Sequence, residues 1–292
     1  MLHTINTKIL LSGAVILAAS AVIVGATFAF FSDTETSTAN TLAAGDIDLQ
    51  IDNESYVTNN LGVLVASPLT SWVQKDLVLE KFFDFTDIKP GDIGEDTISI
   101  HVGSNDAWVC AAARITDNSD VDCTEPELAD DPSCTTPGLT QGELASQVNF
   151  SFWKDDGDNV LEVGETPFLT GPISGLGQAG QISLVDSAGG PFGPSPIPGG
   201  EDRFIGKAWC FGNLAAGTVG QDGLGKLGSP SNPSTANGPL VRGTGFTCDG
   251  ALVNNAAQTD RVMADLQFFA VQSRNNATFT CAGNFTPTWP QD

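Results

Sequence analysis

The stretch Thr97-Ile98-Ser99-Ile100-His101-Val102 decides the fold prediction, because apolar and polar side chains alternate strictly along it. A period of two is typical of a β-strand with one buried face. The turn signal Asp87-Ile88-Lys89-Pro90-Gly91-Asp92 precedes it, since proline fixes φ and glycine permits a tight turn. The stretch therefore predicts a strand that leaves a turn and packs one face on a core.

Further strand patterns recur at short intervals. Ala107–Ile115 is a more continuous apolar run, which predicts a central strand, and Gly142–Gln147 predicts one helical turn. The other predicted strands are Ile47–Ile51, one formed by Trp72 with Leu77, Val78 and Leu79, Val148–Trp153, Ile182–Val185, Phe204–Phe211 and Met263–Ser273. Residues 171–200 and 212–247 are rich in Gly and Pro, which predicts long surface loops. Together these patterns predict an all-β protein: an antiparallel β-sandwich with long Gly/Pro-rich loop insertions.

The N-terminal residues have the features of an export signal. Lys8 precedes an uncharged run over residues 9–31, and small residues lead up to Ala29. We therefore predict cleavage between Ala29 and Phe30, which makes residues 1–29 a signal peptide. The run is also long enough to cross a bilayer, at roughly 20 residues, so a retained membrane anchor is the alternative.

The charge of the chain limits its partners. The formal net charge is −23 over 292 residues. Such a surface repels nucleic acid and anionic membranes, so we expect no nucleic-acid partner. It suits divalent cations, high salt or a solvated extracellular coat, although simple solubility explains much of it.

The six cysteines all lie beyond the export signal. An even number in an exported chain predicts disulfides and leaves the pairing open. We expect Cys123–Cys134 across a short acidic loop and Cys210–Cys248 across a Gly-rich insertion, which leaves Cys110–Cys281. The close Cys-x-x-Cys spacing of zinc ribbons and redox sites does not occur, so we expect structural bridges and no zinc.

Two N-terminal blocks and the turn at Asp87–Asp92 carry a family resemblance. The blocks are Gly25-Ala26-Thr27-Phe28-Ala29-Phe30-Phe31-Ser32-Asp33 and Thr38-Ala39-Asn40-Thr41-Leu42-Ala43-Ala44-Gly45-Asp46-Ile47-Asp48-Leu49. Together they resemble the TasA/camelysin family of secreted biofilm-matrix and surface fibre proteins, which have a SipW-type signal peptide and signal peptidase. The resemblance implies a jelly-roll topology, an extracellular or cell-surface location, and polymerisation by donor-strand complementation.

The donor strand implied by the resemblance is the N-terminal segment 30–45, which cleavage would free, and 46–292 would remain as one disulfide-stapled β-sandwich domain. Residues 30–41 span about 40 Å when extended but carry too little apolar surface to fold alone. An open sheet edge of another subunit could accept such a strand. The polymerisation residues would be Phe30, Phe31, Thr38, Ala39 and Thr41. A disordered leader, or a strand that folds back on its own sheet, is the alternative.

The loop Asp155-Asp156-Gly157-Asp158-Asn159-Val160-Leu161-Glu162-Val163-Gly164-Glu165 is the best local candidate for a metal site. Calcium takes roughly six to eight oxygen ligands. Alignment with an EF-hand loop that ends at Glu165 predicts these ligands: Asp156, Asp158, the carbonyl group of Val160, Glu162 and Glu165. Lys154 occupies the first ligand position, where it cannot coordinate, and no EF-hand helices flank the loop. An acidic hairpin turn without a metal is the alternative interpretation.

The residues argue against an enzyme, although camelysins carry a metallopeptidase label. Catalytic zinc uses three protein ligands, often histidines. The chain has only His3, inside the predicted signal, and His101, which lies mid-strand. It contains neither a His-Glu-x-x-His nor a Gly-x-Ser-x-Gly motif. We therefore predict no catalytic residues.

Four Asn-x-Ser/Thr triplets are glycosylation candidates in a host that has the enzyme, at Asn53, Asn149, Asn276 and Asn284. Taken together, the sequence predicts a secreted structural subunit of an extracellular fibre, biofilm matrix or cell-surface layer. Its partners would be further copies of itself, the signal peptidase during export, and other matrix or cell-surface proteins. A monomeric surface adhesin that binds calcium or carbohydrate is the alternative, and a camelysin-like metallopeptidase is the third.

Overall fold

The computed structural model describes residues 47–176 and 180–289. The predicted cleavage site at Ala29 and Phe30 lies outside the described residues, as does the donor segment 30–45 with its other named positions, Phe31, Thr38, Ala39 and Thr41. The described residues all belong to one compact unit. The predicted division into signal, donor segment and domain stays a prediction.

The described chain is mostly β, as the sequence predicts. Its strands are β1 (Leu49–Thr58), β2 (Leu64–Ala66), β3 (Trp72–Lys75), β4 (Ile93–Val102), β5 (Ala107–Ser119), β6 (Val148–Asp155), β7 (Pro167–Pro172), β8 (Gln181–Val185), β9 (Asp202–Phe211), β10 (Asn213–Ala216), β11 (Phe246–Asp249) and β12 (Arg261–Gln272). Short helical turns occur at Glu125–Asp130, Leu144–Gln147, Ile173–Leu176, Pro239–Arg242, Asn255–Ala257 and Cys281–Asn284. Among these residues no helix has the length and apolar character that a membrane crossing requires.

The strands form two main antiparallel sheets. The larger sheet has seven strands in the order β2-β1-β4-β9-β6-β7, with β3 also paired to β1. The smaller sheet has the order β12-β5-β8, and β10 pairs with β11. The run around Trp108 and Cys110 is therefore a central strand, as predicted. The strand order does not establish the jelly-roll topology, which stays a prediction.

One hydrophobic core joins the two main sheets. Ile98 and Ile100 of β4 point into it from the larger sheet, and Val109 and Val185 meet them from the smaller one. Apolar burial of this kind is the main favourable contribution to folding. Two sheets packed face to face across a shared core make a β-sandwich, as the sequence predicts.

The opposite face of the larger sheet is also covered, which the alternation does not predict. Thr97 and Ser99 of β4 are fully buried although they point away from the core. Part of the cover is the 212–247 insertion, because Lys226 Nζ lies 2.7 Å from Ser99 Oγ and 2.9 Å from Asp52 Oδ1. The insertion, predicted as a long surface loop, therefore packs on this face of the sheet through Lys226.

The strand predicted for Trp72 with Leu77–Leu79 is confirmed at Trp72, which begins β3, and wrong at Leu77–Leu79. The strand here ends at Lys75, and Val78 and Leu79 are 79% and 86% exposed. Periodicity alone could not separate a short apolar run in a loop from a strand.

Three disulfides staple the sandwich, with the expected pairing. Cys110–Cys281 ties β5 to the last helical turn, Cys123–Cys134 closes a short loop, and Cys210–Cys248 joins β9 to β11. Because all six sulfur atoms are used, no cysteine is free as a nucleophile or metal ligand.

Candidate functional site

The acidic loop begins where β6 ends at Asp155, and it returns over the larger sheet. Asp155 Oδ2 accepts hydrogen bonds from the backbone N–H groups of Gly157 and Asn159, each at 3.1 Å. These bonds close the turn, in which Gly157 has φ 108° and Asn159 has φ 64°. Asn159 thus adopts the left-handed conformation that asparagine tolerates and that an EF-hand needs at this position.

The turn brings the predicted carboxylates together. Asp156, Asp158 and Glu162 each place one carboxylate oxygen within 4.8 Å of the others, and Asp155, Asp156 and Glu165 form a second, overlapping group. Asp158 is 4% exposed and Glu162 is fully buried. The four predicted carboxylate ligands are therefore adjacent, and Asp155 joins them.

Val160, the fifth predicted ligand, is fully buried beside these carboxylates. Its N–H group donates a hydrogen bond to Asp158 Oδ1 at 3.0 Å. This contact orients the Asp158 carboxylate, so Val160 has a structural role here that does not depend on its carbonyl group.

An arginine from the distant insertion reaches the same carboxylates. Arg242 Nη1 lies 2.8 Å from Asp158 Oδ2 and also pairs with Glu162, and it lies 3.0 Å from Asp222 Oδ2. The guanidinium therefore neutralises part of the loop. Arg242 lies in a Gly/Pro-rich segment, and no local signal in the sequence connects it to the loop.

The remaining charge is still excessive for a buried site. Burial, and then repulsion from neighbouring carboxylates, raises the pKa of Asp155 and of Asp158 to about 8. The same two causes raise the pKa of Glu165 to about 7. One arginine does not balance this group, so protons or a further cation must do so near neutral pH.

Several buried polar atoms around the loop have no hydrogen-bond partner among the described residues. They include Glu162 Oε2, both side-chain polar atoms of Asn159, and both carboxylate oxygens of Glu95. Glu95 is fully buried, and burial followed by the charges of Asp155 and Asp96 raises its pKa well above the usual value. Unpartnered buried oxygens are costly unless a ligand uses them. The carboxylate oxygens of this set are ligands that fit a hard cation such as calcium.

His101 is held by two carboxylates. Its Nε2 lies 2.8 Å from Asp52 Oδ2 and its Nδ1 lies 2.7 Å from Asp202 Oδ1. Burial lowers the pKa of His101, but the hydrogen bonds to Asp52 and Asp202 outweigh it, so the pKa is raised overall. A histidine with both ring nitrogens engaged in this way is a structural cation bridging two carboxylates.

The glycosylation candidates differ in accessibility. Asn53 is fully buried in β1 and donates a hydrogen bond to the carbonyl oxygen of Thr70 at 2.6 Å, so its side chain is not accessible in the folded domain. Asn149 and Asn276 are half-buried and Asn284 is exposed.

The smaller sheet offers a second candidate site at its edge strand, β12. It pairs with β5 along its whole length, from Arg261 opposite Ser119 to Gln272 opposite Ala107. In the part of the chain that the structure describes, β12 pairs with no other strand. One side of its backbone is thus available to a further strand.

Comparison with known proteins gives one family match. The family model described as camelysin metallo-endopeptidase matches residues 5–62. No curated protein matches the chain. The match includes β1 but ends before His101, the acidic loop and β12. It confirms the resemblance carried by the N-terminal blocks: residues 5–62 are similar to the camelysin family.

Proposed function

We propose that the protein is a secreted structural subunit of an extracellular fibre, biofilm matrix or cell-surface layer, and that it polymerises by donor-strand complementation. The observation that carries this proposal is the open edge of β12. Secretion is supported by the three disulfides, which persist in oxidising compartments. The family match supports it at the level of a relation only.

The side chains of β12 are more exposed than those of its partner strand, as expected for a strand at the edge of a sheet. Residues 264–273 are all partly exposed, whereas Ala107–Ala113 of its partner β5 are buried throughout. A long unpaired edge promotes unwanted association unless another strand fills it. Addition of a strand supplies a ladder of backbone hydrogen bonds.

Around Phe268 and Phe269 both faces of β12 make apolar contacts, so a donor strand beside this part would extend two packed layers. On one face, the Phe268 ring lies 5.9 Å from that of Phe82. On the other, Phe269 stacks on Phe285 at 4.9 Å and on Phe279 at 6.1 Å. Consecutive side chains of a strand point to opposite faces. Adjacent aromatic residues, such as those at the start of the donor segment, would therefore contact both layers.

The lengths also match. β12 has twelve residues, and residues 30–41 of the donor segment can pair along a strand of the same length. Because this segment would leave its own subunit and fill the next, the contact is head-to-tail and does not close, which produces a filament.

Truncation tests the proposal. A chain that begins at Phe30 should form fibres visible by electron microscopy, and one that begins at Gly45 should stay folded and monomeric. A synthetic peptide of residues 30–41 should raise the melting temperature of the truncated protein, and a scrambled peptide should not. If the truncated protein forms the same fibres, donor-strand assembly is wrong.

The acidic loop favours a second candidate function, a calcium-binding surface adhesin. Calcium should then raise the melting temperature. At a hundredfold excess over the dissociation constant, bound calcium adds about 2.7 kcal/mol to the free energy of unfolding. The Asp158→Ala variant should lose this response. If it responds like the wild type, calcium does not bind at this loop.

We further propose that the protein is not an enzyme. His101, the one histidine in the described ranges, bridges Asp52 and Asp202, and the metal-ligand clusters found there contain no histidine. A peptidase assay with added zinc should therefore show no activity above that of His101→Gln.

A further inference from the structure

A second carboxylate cluster lies at the end of the smaller sheet, away from the acidic loop. Asp120 directly follows β5, Glu143 precedes the helical turn Leu144–Gln147, and Asp260 directly precedes β12. One carboxylate oxygen of each lies within 4.8 Å of the others. Three segments that are far apart in the sequence therefore converge on one point.

The cluster contains buried oxygens without partners. Asp120 is 4% exposed, and its Oδ1 has no hydrogen-bond partner among the described residues. The same holds for Glu143 Oε2, Asp260 Oδ1 and the hydroxyl of Ser119, which is 3% exposed. Glu127, fully buried nearby, also has one unpartnered oxygen. Folded proteins rarely leave such groups unsatisfied, so these oxygens are open to a partner that is absent from the protein itself.

The backbone holds the cluster in place. Asp260 Oδ2 accepts hydrogen bonds from the N–H groups of Glu143 at 2.6 Å and Leu144 at 2.9 Å, and its Oδ1 stays unpartnered. A Cβ atom at Gly142 would lie 3.1 Å from Asp260 Oδ2 and 3.1 Å from the carbonyl oxygen of Ser119. Glycine at this position therefore permits the close approach of the carboxylate to the end of β5.

This cluster differs from the acidic loop because, within residues 47–176 and 180–289, no basic side chain forms an ion pair with it. The ion pairs of the described residues include none with Asp120, Glu143 or Asp260. The neighbouring Arg261 pairs with Asp117 instead. One carboxylate oxygen of each of the three residues lies within 4.8 Å of the others, so their charges repel at short range. Uncompensated repulsion of this kind favours a cation.

We propose that Asp120, Glu143 and Asp260 form a binding site for calcium, separate from the 155–165 loop. Three carboxylates that bind in monodentate or bidentate fashion supply much of the set of roughly six to eight oxygens that calcium takes, in the flexible geometry that it accepts. Magnesium requires near-octahedral geometry and retains several waters, for which buried carboxylates are less suitable. The proposal does not depend on fibre assembly.

The position of the site gives the cation a structural role. It would link the end of β5, the turn before β6 and the start of β12. The N-terminal end of the edge strand would then be fixed to the rest of the smaller sheet.

Calorimetric titration of the chelator-treated full chain with calcium tests this proposal. Asp158→Asn serves as the parent, so that binding at the acidic loop does not contribute. Adding Glu143→Gln should weaken the remaining binding at least tenfold, and so should Asp120→Asn, which keeps the test available if one variant fails to fold. Glu125→Gln, which removes an exposed charge from the helical turn Glu125–Asp130, is the matched control and should bind like the parent. If Glu143→Gln and Asp120→Asn also bind like the parent, the site is wrong.

Thermal unfolding separates a metal ligand from a merely structural residue. In chelator, Glu143→Gln should melt at a higher temperature than its parent, because one repelling charge is gone. In calcium the order should reverse, since only the parent gains from binding. A lower melting temperature for Glu143→Gln in both conditions would overturn the proposal, and a response to magnesium but not to calcium would overturn the choice of metal.

Discussion

The three disulfides should contribute unequally to stability, in the order of the chain lengths that they close. Cys110–Cys281 spans 171 residues of sequence, Cys210–Cys248 spans 38 and Cys123–Cys134 spans 11. If each bridge acts by restricting the unfolded chain, these three disulfides contribute, in the same order, about 5, about 4 and about 3 kcal/mol to the free energy of unfolding at 25 °C. The bridge between β5 and the C-terminal turn should therefore contribute the most. Its removal should also cost packing, because both of its cysteines are fully buried.

Urea unfolding of paired alanine variants measures this order. Cys110→Ala with Cys281→Ala should lower the free energy of unfolding by about 2 kcal/mol more than Cys123→Ala with Cys134→Ala. Alanine avoids burying a new hydroxyl group at the Cys110 position, and the second variant is the control for removal of any bridge. Equal losses, or a larger loss for the short loop, would refute the chain-entropy reasoning. Six free thiols in the native wild type would refute the disulfides themselves.

Three further predictions concern buried groups of the larger sheet. His101→Gln should lower the free energy of unfolding by about 1–2 kcal/mol near pH 6. Because the pKa of His101 is raised in the folded protein, this loss should be present below the usual pKa of 6.5 and disappear as the pH rises through the folded pKa. A loss that does not depend on pH would contradict this prediction. Lys207→Met leaves the fully buried Asp96 without its 2.7 Å ion pair. Urea unfolding should show a loss of roughly 3–5 kcal/mol in the free energy of unfolding. Adding Asp96→Asn should recover part of this loss. Gly206→Ala should lower the melting temperature markedly, since a Cβ atom there would overlap the Trp153 ring; an unchanged melting temperature would show that this packing is looser than described.

The strands were predictable where the apolar residues follow a clear pattern along the chain. Alternation located β4, and continuous apolar sequence located β5, because burial there follows from residue type. Alternation could not show that Thr97 and Ser99 are buried, since their cover comes from a Gly/Pro-rich insertion with no periodicity. The strand prediction at Leu77–Leu79 was wrong because these apolar residues lie in a loop, where burial does not follow from residue type.

The candidate sites show the same limit. The carboxylates Asp156–Glu165 were predictable because they lie in one short loop whose spacing is visible in the sequence. Arg242 was not predictable, since it reaches Asp158 across a sequence separation of 84 residues. The cluster of Asp120 and Asp260 was missed because its members come from separate segments, which only folding brings together.

Hydrogen exchange of the β12 amides tests the central claim, donor-strand assembly, most directly. The mature chain in its assembled form should be compared with the monomer that begins at Gly45. Outward-facing amides of β12 should exchange in the monomer and become protected in the assembly. The amides of Val109–Ala112 in β5, which already lie between β12 and β8, should change little. Fibres in which β12 exchanges as fast as in the monomer would contradict the account.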